Sequence, residues 1–192
     1  MDRSGIGDTS VQLTYLPADS RKQNYGFLLG AELSLPTGDK DSSLGSGTYD
    51  LLLRSTISKK TSAGFPYFAA IYTWTGVGSQ DGYKTEKPDD LLLAVGFKSR
   101  TWHRLSLDAR LFRYFLYGDQ VSYNETGRVV SSAHDLPGCR LTMKYLFSKV
   151  LEGSVFFEKA RPEDHLQNAN GMLITKKPDS KNRFAIALRY LW

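Results

Sequence analysis

Along most of this chain apolar and polar residues alternate with a period of two, the signature of strands whose side chains point in turn to opposite faces. Val11, Leu13 and Tyr15 alternate with Gln12 and Thr14 up to Leu16-Pro17. Phe27, Leu29, Ala31, Leu33 and Leu35 alternate with Leu28, Gly30, Glu32 and Ser34, and Pro36 ends the run. Tyr49, Leu51, Leu53, Ser55 and Ile57 then oppose Asp50, Leu52, Arg54 and Thr56. A fourth run, Phe65 to Trp74, is aromatic on both faces, so its phase stays open. Leu91, Leu93, Val95 and Phe97 oppose Leu92, Ala94, Gly96 and Lys98 in the fifth. In the sixth, Leu105, Leu107, Ala109 and Leu111 oppose Arg104, Ser106, Asp108 and Arg110, and the phase breaks over Arg113 to Tyr117, as a bulge would make it. Cys139, Leu141, Met143, Tyr145 and Phe147 form the seventh run, Val150 to Lys159 the eighth and Asn182 to Trp192 the last.

No stretch competes with a helical period, and no repeat exists beyond the strand rhythm. The pattern predicts an all-β, antiparallel up-and-down meander of about nine strands, or ten if Met172 to Thr175 adds one. Connections alternate strictly. Ala18 to Asn24, Ser58 to Gly64, Ser99 to His103 and Ser148-Lys149 are short, while those beginning at Pro36, Gly76, Gly118 and Ala160 are long and polar. The runs, at roughly nine to eleven residues, suit a strand that crosses a membrane at a tilt and exceed the five or six usual in soluble sheets.

The last run sharpens this. Phe184, Ile186, Leu188, Tyr190 and Trp192 share one face, so the apolar stripe runs to the final residue. This ending resembles the C-terminal insertion signal of bacterial outer-membrane β-barrels. The resemblance implies the bacterial outer membrane as location, its lipid as surroundings and the barrel-assembly machinery as a partner through that strand. Composition agrees: mean hydropathy is −0.36, and no apolar run approaches the ~20 residues of a spanning helix. Opposite the apolar stripes stand Arg54, Lys98, Arg104, Arg110, Arg140, Lys144, Arg183 and Arg189 against Glu32, Asp50, Asp108, Glu152 and Glu158. As the lumen of a barrel, such a face either favours anionic solutes or closes a narrow pore with internal ion pairs. Tyr25, Phe27, Phe65, Tyr145, Phe147, Tyr190 and Trp192 fall near the expected periplasmic ends, as an interfacial aromatic girdle would. With Trp192 periplasmic, a nine-strand count starts outside the cell, whereas bacterial single-chain barrels have even strand numbers. The reading therefore expects one β-barrel domain over residues 1–192 that lacks an odd number of N-terminal strands. The opening MDRSGIGDTS has no basic, apolar leader.

Three motifs follow one another at strand ends: Gly5-Ile6-Gly7-Asp8, Leu35 to Asp39, and Gly45 to Asp50. In that order they resemble the outer-membrane barrel family named after the MetA pathway of phenol degradation, and the likeness extends to Gly76. It implies a transmembrane barrel and a transporter of small compounds, aromatic ones among them.

Candidate chemistry is sparse. His103 and Ser106 are three apart and so on opposite faces of a strand, while His134 and His165 fall in polar loops beside Ser131-Ser132 and Glu163-Asp164. Gly45-Ser46-Gly47 lacks the lysine and helix that cradle phosphate. The single cysteine, Cys139, has neither a disulfide partner nor a ligand cluster. The net charge of +5 is scattered and without a nucleic-acid-binding motif. The sequence thus predicts a channel or transporter for passive passage of small solutes, aromatic or anionic ones included, with no catalytic residues, cofactor, metal or nucleic-acid partner. Its rivals are a soluble β-barrel binding a hydrophobic ligand, with the polarity of the faces reversed, and an outer-membrane lipid-modifying enzyme.

Overall fold

The computed structural model describes residues 8–19, 22–38, 47–80, 83–124, 127–132, 135–169, 172–176 and 180–190. In chain order its strands are β1 (Thr9–Ala18), β2 (Tyr25–Leu35), β3 (Asp50–Lys59), β4 (Gly64–Thr75), β5 (Val77–Gln80), β6 (Tyr83–Glu86), β7 (Asp89–Ser99), β8 (Leu105–Tyr117), β9 (Gln120–Asn124), β10 (Gly127–Ser131), β11 (Leu136–Leu146), β12 (Leu151–Ala160), β13 (His165–Ala169), β14 (Met172–Lys176) and β15 (Lys181–Tyr190). A nine-stranded antiparallel sheet has the order β1-β2-β3-β4-β7-β8-β11-β12-β15, and a six-stranded one has β14-β13-β10-β9-β6-β5. The nine predicted strands are thus the nine of the first sheet. It is a meander but not a closed barrel, because β1 and β15 remain its edges. Strands alternate in direction along it, so β1 and β15 run the same way.

Register gives the large sheet two unlike faces. On one, Leu13 lies opposite Ala31, which faces Leu53, then Tyr72, Leu91 and Phe115. Farther along the sheet Phe97, Ala109, Leu141, Phe157 and Phe184 continue it, with Cys139 opposite Leu111. Many of its large side chains are open: Leu13 is 73% exposed, Leu111 64% and Ile186 68%. The other face carries the charges, yet it is the more covered. The buried cluster of Leu92, Ala94, Phe112 and Ala160 lies there, with Ala69, Ile71 and Tyr114 packed against it.

Aromatic rings on the charged face settle over missing side chains on the next strand. Tyr67 of β4 lies across Gly96 of β7, whose Cβ, if present, would stand 2.5 Å from the Tyr67 hydroxyl oxygen. Phe112 of β8 covers Gly138 of β11 in the same way, at 2.7 Å from Cε2. At the short end of β7 and β8, Trp102 and Leu105 exchange two backbone hydrogen bonds of 2.8 Å around His103 and Arg104. Both central residues have positive φ, 44° and 72°, as a two-residue hairpin turn matched to strand twist demands.

Several expectations need correction. Pro66, Phe68, Ala70, Tyr72 and Trp74 complete the apolar face, whereas Phe65 pairs with Lys98 on the charged one and leaves the girdle. No bulge interrupts β8, whose pairing with β7 and β11 is unbroken. The phase only looked lost because Arg113 stands on the apolar face. A register break occurs instead in β1, between Tyr15 and Ala18, next to Pro17, which has no N–H to give. Three of the long loops are hairpins: β5–β6, β9–β10 and β13–β14 pair with one another as the second sheet. Met172 to Thr175 belongs there, and His165 opens β13. Gly5 to Gly7, Asp39, Gly45, Ser46, His134 and Trp192 lie outside the described residues.

Candidate functional site

The charged face is built by alternation across neighbouring strands. Glu32 of β2 and Arg54 of β3 pair at 3.3 Å. Asp108 of β8 stands opposite Lys98 of β7 and accepts the Tyr67 hydroxyl at 2.8 Å, across the notch at Gly96. Arg110 of β8 and Arg140 of β11 are direct cross-strand neighbours, a like-charge pairing that is unfavourable by itself. Arg140 is relieved by Glu158 of β12, to which its Nε donates at 2.6 Å and its terminal nitrogen also points. Glu158 is only 6% exposed and has Arg183 of β15 at 3.8 Å on its other side. Lys144 and Glu152 pair at 3.4 Å, with Arg189 opposite Glu152.

Arg110 has no ion pair among the described residues. Its guanidinium lies 5.7 Å from the centroid of the Phe112 ring, and its Nε is buried without a hydrogen-bond partner. Arg54 Nε and Asp50 Oδ1 are in the same condition. Arg104, expected on this face, sits in the turn before β8 and donates to the Phe147 carbonyl at 3.0 Å. Two charges that the sequence reading passed over also belong here. Asp90 lies opposite Thr73 and Leu116, and Lys181 opposite Ala160. The signal was present, since each is two residues from a residue already placed on this face. Among the side chains named, cations outnumber carboxylates.

At the long-connection end, Arg113 projects from the apolar face, where Asp135 and Glu163 hold it at 2.6 and 3.1 Å. At the β1 edge of the sheet two of the strand-end motifs meet: Gly38 donates its N–H to Asp8 at 2.9 Å, and Thr9 donates its N–H to Thr37 Oγ1 at 2.8 Å. The spacing of those motifs thus reflects a clamp between the start of β1 and the end of β2.

The remaining candidates are dispersed. The His103 ring lies edge-on to Trp102 at 4.8 Å, and Ser132 Oγ accepts the Leu166 N–H at 2.9 Å. Cys139 is exposed on the apolar face. Phe184, Ile186 and Leu188 of the terminal stripe are exposed on the edge strand. Comparison with family models, with curated proteins and with solved structures finds no match to this chain.

Proposed function

We propose that the nine-stranded sheet is the wall of a β-barrel in the bacterial outer membrane, through which small solutes pass passively, anionic ones preferentially. The observation that carries this reading is the inverted polarity of the two faces. Charges occupy the covered face while Leu13, Leu111, Ile186 and their neighbours are left open on the other. Water would reject such an outward face, and lipid requires it. A soluble ligand-binding barrel would have the opposite arrangement. Strands of ten to thirteen residues reach about 33–43 Å at ~3.3 Å per residue, which at a tilt of ~45° spans roughly 23–30 Å, the height of an outer-membrane apolar band. Arg113 with its two carboxylates marks where that band stops on the outer side.

Backbone groups left unpaired in hydrocarbon are costly, so further strands at the edges of β1 and β15 would complete the wall. Because β1 and β15 run in one direction, an odd number of further antiparallel strands closes the wall and gives the even total of bacterial barrels. The terminal stripe of β15 is then the feature read by the assembly machinery, and the resemblance of the strand-end motifs to the barrel family named after the MetA pathway supports the same reading. No covalent step is assigned to it.

Dilution from urea tests the reading. Into detergent micelles, the chain is expected to gain β-type circular dichroism and blue-shifted tryptophan emission; into plain buffer, it aggregates. A folded, soluble monomer in buffer would overturn the proposal.

A further inference from the structure

The charged face holds one recess whose chemistry is mixed. It spans β8, β11, β12 and β15 toward the long-connection end and has a volume of about 280 Å³, at the lower end of small-molecule pockets. Its floor and walls are apolar: Phe112, Tyr114, Leu116, Leu136 and Ala160. Phe112 and Tyr114 meet edge-to-face at 5.5 Å, which fixes both rings, and the ring of Phe112 is anchored over Gly138. At the β15 side the lining changes to Glu158, Lys181 and Arg183.

The charges of that side do not cancel. Glu158 is matched by Arg140, which donates to it closely, while Arg183 stands off at 3.8 Å with two-thirds of its side chain exposed. Lys181 has no ion pair among the described residues. The recess therefore offers an apolar bed with two available cations at one end. We infer that it binds a small amphipathic carboxylate, its hydrocarbon part on Phe112, Tyr114, Leu116 and Leu136 and its carboxylate against Lys181 and Arg183. This rests on the channel reading and deepens it: the preferred anions are those with an apolar body, and the recess is a station along the wall.

Each half of the ligand has its own recognition, so each can be removed separately. The full chain, refolded in detergent micelles, is titrated with hexanoate, hexanol, acetate and hexylammonium, and binding is followed by ligand-observed NMR. Hexanoate is expected to bind roughly tenfold more tightly than either hexanol or acetate, as one favourable charge contact and one apolar contact would each give. Lys181→Gln with Arg183→Gln abolishes the advantage over hexanol, and Lys181→Glu with Arg183→Glu moves the preference to hexylammonium. Arg183 is largely exposed and makes only a 3.8 Å contact with Glu158, and Lys181 has no ion pair among the described residues, so folding should survive. Equal binding of hexanoate and hexanol, or a hexanoate affinity untouched by charge reversal, would overturn the site. The two readings fail separately. A chain that folds without detergent and still prefers hexanoate keeps the site and loses the membrane, and a chain that folds only in micelles without that preference does the reverse.

Discussion

The two sheets of this molecule obey the same hydrogen-bonding order but sort their side chains differently. The hairpins β5–β6, β9–β10 and β13–β14 extend from the pairs β4–β7, β8–β11 and β12–β15, so neighbours in the first sheet raise neighbours in the second. Pairing is inherited in this way, but segregation of faces is not. In the large sheet whole rows are apolar, such as Ala109, Leu141, Phe157 and Phe184. In the small one Glu86 faces Val121, and Val130 and Leu173 both face Asn168. Strands of four or five residues can be held by ladder hydrogen bonds and by their neighbours. The strands of ten or more residues also sort their side chains, as the proposed place in hydrocarbon would require, because a misplaced charge there would have no water to meet it.

One substitution made in both sheets gives the strongest test. Val95→Arg falls among Phe68 and Leu111 on the apolar face and should destabilise the refolded chain in lipid vesicles by roughly 2–4 kcal/mol in urea titration. Leu173→Arg, on β14 and 69% exposed, should stay within about 0.5 kcal/mol. Similar losses at both sites would mean that the two sheets share one solvent. A second pair compares carboxylates that each hold an arginine. Glu158→Gln leaves Arg140 beside Arg110 without a counter-charge on the covered face and should cost roughly 2–3 kcal/mol. Glu163→Gln at the exposed rim, where Asp135 still holds Arg113, should cost less than about 1 kcal/mol. The same titration decides between them.

This contrast also explains what could be read from the sequence. All nine long strands were legible, because an apolar face and a charged face keep the same alternation over ten or more residues. Most of the charged face followed from that phase alone. Where both faces are aromatic, as in β4, alternation carries no phase, and Phe65 was put on the wrong side. Where one charge stands among apolar residues, as Arg113 does, a break in the pattern imitated a bulge. The six-stranded sheet was hidden, since polar segments such as Gln120 to Asn124 form strands through neighbours that periodicity cannot supply. The recess was hidden for a similar reason, as it joins four strands whose adjacency is set by topology. Closure between β1 and β15 concerns pairing beyond the described strands, on which alternation is silent.

The notch at Gly96 belongs to the large sheet. A Cβ there would press on the Tyr67 ring and pull its hydroxyl from Asp108, so Gly96→Ala should cost about 1–2 kcal/mol by the same urea measurement. A neutral result would mean that the ring does not lie across β7.

The smallest effect is expected to be a gain. Arg104 holds φ at 72° in the turn between β7 and β8, a left-handed conformation that costs a side-chain-bearing residue about 1–2 kcal/mol. Glycine adopts it freely, but a glycine also gives the unfolded chain about 0.5–1 kcal/mol of extra entropy. The bond from the Arg104 guanidinium to the Phe147 carbonyl is exposed and contributes little. Arg104→Gly should therefore stabilise the chain by about 0.5 kcal/mol, the difference of the two backbone effects. Amide exchange shows where the gain goes. Protection should rise at Leu105 and Leu107, next to the turn, and stay unchanged over Gly127–Ser131 in the six-stranded sheet. If both regions gained protection together, the two sheets would unfold as one unit, and the separation drawn between them would hold for solvent but not for cooperativity.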